Sequence, residues 1–139
     1  MKKLFLSCMV LLFTVGLFAQ QDVKATNSAQ IITDQLVTKY QLDKKQAAEM
    51  LKIQTRQLRN ESEIASIKTT DLATYLTKVE ALETGTNFSF RKILTVEQRK
   101  IFDQEKHDLR TKRAALANQM NKQGKSPIEI KQSTLEIKE

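Results

Sequence analysis

The fold is decided by two short and related stretches of sequence, LDKKQ at residues 42–46 and LTVEQ at residues 94–98. In each stretch a capping residue, Asp43 or Thr95, stands three positions before a glutamine. The oxygen of the capping side chain can accept a hydrogen bond from the glutamine N–H, while the glutamine side chain accepts one from the N–H of the capping residue. This arrangement is a capping box, and it predicts that a helix begins after each capping residue.

A leucine precedes each capping residue and lies outside the helix that follows. An apolar residue four positions past the cap often covers such a leucine, but these positions hold Ala47 and Arg99. We therefore expect Leu42 and Leu94 to be buried by contacts with other elements.

The second motif also predicts an order of mutational effects. Thr95→Ala removes an N-cap and should cost about 1 kcal/mol. Gln98→Ala should cost less, because the motif alone gives Gln98 only the reciprocal bond.

Helical periodicity on both sides of the motifs predicts an all-α fold. A short helix is expected from residue 29 to Tyr40, and residues 43–84 contain neither Gly nor Pro. A straight helix of that length would extend ~63 Å, which is too long for a compact domain of this size. We therefore expect a bend or a break, either at residues 60–63 or at residues 69–71, where capping side chains cluster.

Glycine and proline are expected to end the remaining elements. Gly85 should end the long helical segment, with residues 85–93 as a connector, and a last helix should run from the second motif to Gly124. The predicted architecture is an elongated, bent helical hairpin of about four helices over residues 29–125, with a mobile tail over residues 126–139. The buried face of the last helix is predicted to hold Ile101, Phe102, Leu109, Leu116 and Met120.

The first nineteen residues differ sharply from the rest of the chain. Two lysines precede an apolar stretch over residues 4–18, which is typical of a secretory signal peptide. We expect removal of residues 1–19 by cleavage after Ala19, and a flexible lead-in over residues 20–28. An uncleaved membrane anchor is disfavoured because a span needs ~20 apolar residues. Too few residues precede Cys8 for a lipid attachment site.

The cleaved chain would work outside the cytosol, and a bacterial periplasm is favoured over secretion into the medium. No ATP drives a mechanism there. The mature chain has no second apolar run that could span a bilayer, so no stable membrane insertion is expected after cleavage.

Composition excludes several classes of function. Without the first nineteen residues, the chain has 21 basic and 16 acidic residues, one histidine, no cysteine and no Gly-rich phosphate loop. We predict no catalytic residues, no cofactor and no metal site, with His107 as a surface residue. An exported chain without a base-stacking aromatic pattern is not expected to bind nucleic acid.

A basic stretch over residues 91–113 carries eight basic and four acidic residues. Such groups can attract an acidic unfolded chain at long range, and neighbouring apolar groups can hold it afterwards. The alternative interpretation is an ordinary solvated helix face. Lys100 and Arg110 are left outside the predicted client-binding set, which consists of Arg91, Lys92, Arg99, Lys106, Phe88 and Phe102.

The two motifs resemble the LTxxQ pair of the Spy/CpxP-like periplasmic proteins, in which the motifs lie about fifty residues apart. LTVEQ at residues 94–98 matches fully, and LDKKQ at residues 42–46 carries Asp43 in place of Thr. The resemblance covers most of the mature chain. It implies an all-α, antiparallel, cradle-shaped homodimer. It also implies that the motif residues organise the fold instead of touching a client: Leu42, Gln46, Leu94, Thr95 and Gln98.

The resemblance implies either an ATP-independent chaperone or an accessory protein of the envelope-stress response. The sequence leaves several functions open: a chaperone that binds unfolded or misfolded envelope proteins, a regulatory adaptor that binds an envelope-stress sensor, a metal-stress accessory protein, and a structural helical module. The chaperone is preferred because a thin, Ala-rich core leaves apolar surface for dimerisation and for weak, promiscuous binding.

Overall fold

The computed structural model describes residues 27–138, which form helices joined by short turns and contain no β-strand. The predicted signal peptide, its cleavage site and most of the predicted lead-in lie outside the described residues. Within residues 27–138, every helix is too short or too polar to cross a membrane.

The prediction of an all-α fold is confirmed, with more helices than the predicted four. Residues 27 and 28, expected in the lead-in, already belong to the first helix. The first helix, α1, covers residues 27–40, and the others follow in chain order: α2 Lys44–Ile64, α3 Ile67–Thr70, α4 Leu72–Ile93, α5 Val96–Lys122 and α6 Pro127–Glu136.

The long helical segment is interrupted twice, after Ile64, where α2 ends, and at Asp71, in the second group of predicted capping residues. Asp71 caps α4: its Oδ1 accepts a hydrogen bond from the Thr74 N–H at 3.0 Å, and its Oδ2 accepts one from the Thr74 hydroxyl at 2.7 Å. These bonds hold the pKa of Asp71 below its ordinary value, and the bond from the backbone N–H of Thr74 has the largest effect. The other expected break, at residues 60–63, lies inside α2. These interruptions let α4 fold back and pack against α2.

The predicted connector over residues 85–93 is wrong, because α4 continues through Gly85 to Ile93. A glycine inside a helix costs only about 1 kcal/mol relative to alanine. Continuing the helix places Phe90 in the core, where it is almost fully buried. Burial of a phenylalanine is worth ~1.5–3 kcal/mol, so it outweighs the cost of the glycine.

The predicted mobile tail is also replaced by a helix, α6, which packs on α4 and α5. Ser126 and Glu129 form a third capping box, and Pro127 occupies the first helical turn. Leu135 is buried. The signal was present in the sequence as the spacing S-x-x-E followed by apolar residues.

The core is an aromatic cluster contributed by three helices. The ring of Phe90 from α4 lies 5.0 Å from that of Tyr40 in α1 and 5.1 Å from that of Phe102 in α5, in both cases edge to face. The Tyr40 hydroxyl donates a hydrogen bond to the Glu105 side chain. The expected burial of the two motif leucines is confirmed, since the same cluster includes Leu42, Leu94, Met50 and Ile53.

The predicted buried face of α5 is correct for only part of its length. Phe102 and Leu109 are buried, but Ile101 is 50% exposed and Leu116 and Met120 are half-buried. Adjacent residues of a helix point about 100° apart, so Ile101 cannot share the face that Phe102 directs into the core.

Two glycines of the described chain should respond oppositely to alanine. At Gly85 an added Cβ meets nothing within 4 Å, so Gly85→Ala should raise the free energy of unfolding by about 1 kcal/mol. Gly124 has φ +70°, so Gly124→Ala should lower it by about 1–2 kcal/mol. Urea denaturation measures the free energy of unfolding of both variants. A lower value for Gly85→Ala than for the unaltered chain would contradict the continuous helix.

Candidate functional site

The two capping glutamines, 52 residues apart, form a reciprocal hydrogen-bonded pair. Gln46 Nε2 donates to Gln98 Oε1 at 2.7 Å, and Gln98 Nε2 donates to Gln46 Oε1 at 3.3 Å. Gln46 also completes its own capping box, since its Oε1 accepts from the Asp43 N–H at 3.0 Å. Its second donor bonds the carbonyl of Ile93 at 2.7 Å, at the end of α4.

Gln98 has a matching set of partners. Its Oε1 accepts from the Thr95 N–H at 2.9 Å, and its Nε2 donates to the Tyr40 carbonyl at 3.0 Å and to the Gln41 carbonyl at 3.3 Å. Each glutamine thus satisfies an N–H at the start of its own helix and a carbonyl at the end of another. The ends of α1 and α4 and the starts of α2 and α5 are thereby held together at one point, which we call the joint.

Both capping boxes are present as the sequence predicted, the first with Asp43 in place of threonine. The sequence did not reveal the bonds between the two motifs. A single stretch of sequence shows only the contacts within one helix turn, whereas the glutamine pair depends on the relative position of two helices.

A cleft of about 460 Å³ lies between α4 and α5. It collects four of the six predicted client-binding residues on one surface, and it also includes Arg110, which the sequence had left outside the set. Lys92 and Arg99 are not among its lining residues. The predicted residues that line the cleft are Phe88, Arg91, Phe102 and Lys106.

The two phenylalanines of the predicted set have opposite environments. Phe88 is 61% exposed on the cleft wall, and the Lys92 ammonium lies 4.3 Å from its ring centroid in a cation–π contact. Phe102 is only 3% exposed and belongs to the aromatic core. The prediction of Phe102 as a client contact is therefore wrong, because its ring is enclosed by Tyr40 and Phe90.

Two of the predicted steering cations are engaged within the protein. The Arg91 guanidinium makes a bidentate pair with Asp103, with both distances 2.9 Å. Arg99 Nε donates to the Arg91 carbonyl at 3.0 Å, in the last turn of α4. These contacts tie α5 to α4 near the joint, so the basic stretch is less available to a partner than its composition suggests.

The Arg91 hydrogen bonds also hold the pKa of Asp103 below its ordinary value. A carboxyl whose pKa is lowered by folding stabilises the folded state above its unfolded pKa. The pair's contribution is therefore lost as pH falls through the lowered pKa of Asp103. Both side chains are about half exposed, so the solvent screens much of this effect.

A second bidentate pair bridges α4 and α5 farther along the cleft, and sequence reasoning missed it. Arg113 donates to the two carboxylate oxygens of Glu83 at 2.9 Å and 3.1 Å, and to the Ile137 carbonyl at 3.0 Å. The Arg113 Nε is buried and has no hydrogen-bond partner among residues 27–138. A charged donor of this kind is costly to bury unless a partner or water reaches it.

The described residues contain no group of three or more His, Cys, Asp and Glu side chains that could hold a metal ion. His107, the single histidine of the chain, is exposed on α5. Comparisons of the chain with protein-family models, with curated proteins and with solved structures gave no significant match.

The glutamine pair reverses the order of mutational effects that the motif alone predicted. Thr95→Ala should still cost about 1 kcal/mol. Gln98→Ala should cost more, about 2–4 kcal/mol, because it leaves the Tyr40 carbonyl and the buried amide of Gln46 short of partners. Urea denaturation measures both.

A double-mutant cycle with Gln46→Ala tests the pairing directly. The two single losses should not add, since either substitution already breaks the shared bonds, and the coupling should be about 1 kcal/mol or more. Additive losses would show that the two motifs act independently.

Proposed function

We propose that the protein is an ATP-independent chaperone of the periplasm, which holds unfolded or misfolded envelope proteins in the cleft between α4 and α5. The observation that supports this best is Phe88, a large apolar side chain left 61% exposed on the wall of a charged cleft. A monomer that simply needed to fold would gain from burying this ring. An exposed aromatic residue beside cations suits an apolar and acidic polypeptide partner.

The apolar contribution of such a site would be small and unspecific. Burial of one phenylalanine is worth ~1.5–3 kcal/mol, which suits weak and reversible holding better than tight recognition. Other large apolar side chains are also exposed on the described surface, at Ile31, Val96 and Ile101. These lie outside the lining of the cleft and are not part of the proposed holding site.

The electrostatic contribution would act on the rate of encounter. Without the first nineteen residues the chain has 21 basic and 16 acidic residues, a formal net charge of +5, and an excess of positive charge speeds the approach of acidic chains. Because Arg91 and Arg99 are engaged within the protein, we assign steering to Lys92, beside Phe88, and to Arg110, in the cleft.

The proposal includes the homodimer implied by the resemblance. It is supported by the thin core of the single chain and by the large apolar side chains that remain exposed. Sedimentation at tens of micromolar should therefore give the mass of two chains. A stable monomer at that concentration would contradict the dimer and leave the cleft proposal standing.

Client holding should depend on Phe88 and not on other exposed apolar residues. Phe88→Ala should leave the free energy of unfolding nearly unchanged. It should speed dissociation of an unfolded client about tenfold, which corresponds to ~1.4 kcal/mol. The matched control is Ile101→Ala, which removes a comparably exposed apolar side chain outside the cleft lining. Stopped-flow dissociation of a labelled unfolded client measures both.

The same experiment separates holding from steering. Arg110→Glu should slow association and mimic added salt, which screens exposed charges over ~8 Å at physiological ionic strength. Lys100→Glu, with the same change of charge outside the cleft lining, should slow it less. If no variant and no salt concentration alters binding, or if no unfolded client binds at all, an adaptor with one specific partner becomes the better proposal.

A further inference from the structure

The C-terminal helix α6 lies on α4 and α5 but buries few of its own side chains. Leu135 is its one buried residue, and Ile128 remains exposed. A helix of ten residues is marginal in water without tertiary contacts. The position of α6 therefore depends on a small apolar contact and on the polar contacts around it.

The polar contacts attach α6 at two points. Lys131 pairs with Glu80 of α4 at 2.9 Å and donates to the Thr77 hydroxyl at 3.3 Å. The Ile137 carbonyl, just past α6, accepts from Arg113 of α5 at 3.0 Å. The Lys131 and Glu80 side chains are 35% and 58% exposed, and ion pairs as exposed as these add little stability.

The surface beneath α6 is partly apolar and is open to solvent. A groove of about 270 Å³ lies between α6 and the start of α4. Its apolar lining is Leu72, Tyr75 and Leu76 of α4 and Leu135 of α6, and its polar lining is Lys68, Gln132, Glu136 and Lys138. Docked α6 therefore covers this apolar surface only in part.

The residues that hold α6 also line the proposed client cleft. Glu80, Glu83 and Arg113 all belong to the cleft wall between α4 and α5. Arg113 also has a buried Nε donor with no partner among residues 27–138. A polypeptide that bound these groups would compete with the contacts of α6.

The connection before α6 allows release without rearrangement of α5. Gly124 ends α5 in the left-handed conformation, φ +70°, and the Lys125 N–H bonds the Met120 carbonyl at 3.1 Å. The capping box of Ser126 and Glu129 is internal to α6, so it does not depend on docking. The two helices are therefore separate units joined at a glycine.

We propose that α6 is an autoinhibitory strap: docked, it covers the apolar surface at the start of α4 and occupies Glu80 and Arg113, and an unfolded client displaces it. This rests on the proposed function, because the strap regulates the same cleft. When α6 leaves, the surface around Leu76 joins the cleft and enlarges the apolar area open to the client.

The test weakens the docking of α6 by reversing the charge of one side chain. Lys131→Glu places two carboxylates together at Glu80, so amides of residues 127–136 should exchange hydrogen faster, while those of α2 and α5 should not. The probe client is reduced, carboxymethylated α-lactalbumin, an acidic chain that stays unfolded. Its apparent affinity should rise about threefold, because a larger fraction of the protein has the surface open.

The matched control is Lys78→Glu, which makes the same change of charge at an exposed position of α4 outside the cleft lining. It should leave the exchange of α6 unchanged, and it should not raise the affinity. Leu135→Ala is a second variant that loosens α6 without any change of charge, and it should raise the affinity in the same direction.

Amide hydrogen exchange of the unaltered chain, measured with saturating client, tests whether the client displaces α6. Faster exchange of residues 127–136 on client binding supports displacement. If client binds but these amides stay as protected as before, and neither variant binds more tightly, the strap is overturned and the chaperone proposal stands. If neither the unaltered chain nor the variants bind the client, both proposals fail.

Discussion

The rest of the structure depends on the reciprocal amide pair between Gln46 and Gln98. Each glutamine binds the backbone at the start of its own helix and at the end of another, so four helix ends meet at one point. Polar groups at helix ends must be satisfied when they are not in water. The pair does this for both motifs at once, which fixes the directions in which α2 and α5 leave the joint.

The aromatic core is a direct extension of this joint. Tyr40 offers its carbonyl to Gln98 and packs its ring against Phe90, which in turn packs against Phe102. Away from the joint, the contacts between α4 and α5 become polar, as in the pair of Arg113 and Glu83. Close apolar packing is therefore found at the joint, whereas farther along, α4 and α5 are connected by contacts between polar side chains. The cleft lies between these two regions.

This gradient is consistent with a protein that binds partners of variable sequence. Apolar surface that is left open or lightly covered costs stability, and a small helical chain can accept that cost only if another part is packed well. Here the well-packed part is the joint, while Phe88 stays exposed and α6 covers its surface with one buried side chain. The proposed binding surface thus begins next to the packed joint and extends from there along α4 and α5.

Features that arise from contacts within a few residues could be predicted from the sequence. The starts of α2 and α5, the cap at Asp71 and the end of α5 at Gly124 follow from bonds between neighbours, and the cap at Ser126 could have been predicted in the same way. Features that depend on distant partners became visible only in the three-dimensional structure. It showed that Gln46 binds Gln98, that Phe102 is buried while Phe88 is exposed, and that Arg91 is occupied by Asp103. The physical reason is that burial and pairing depend on the register between helices, which no local pattern of residues contains.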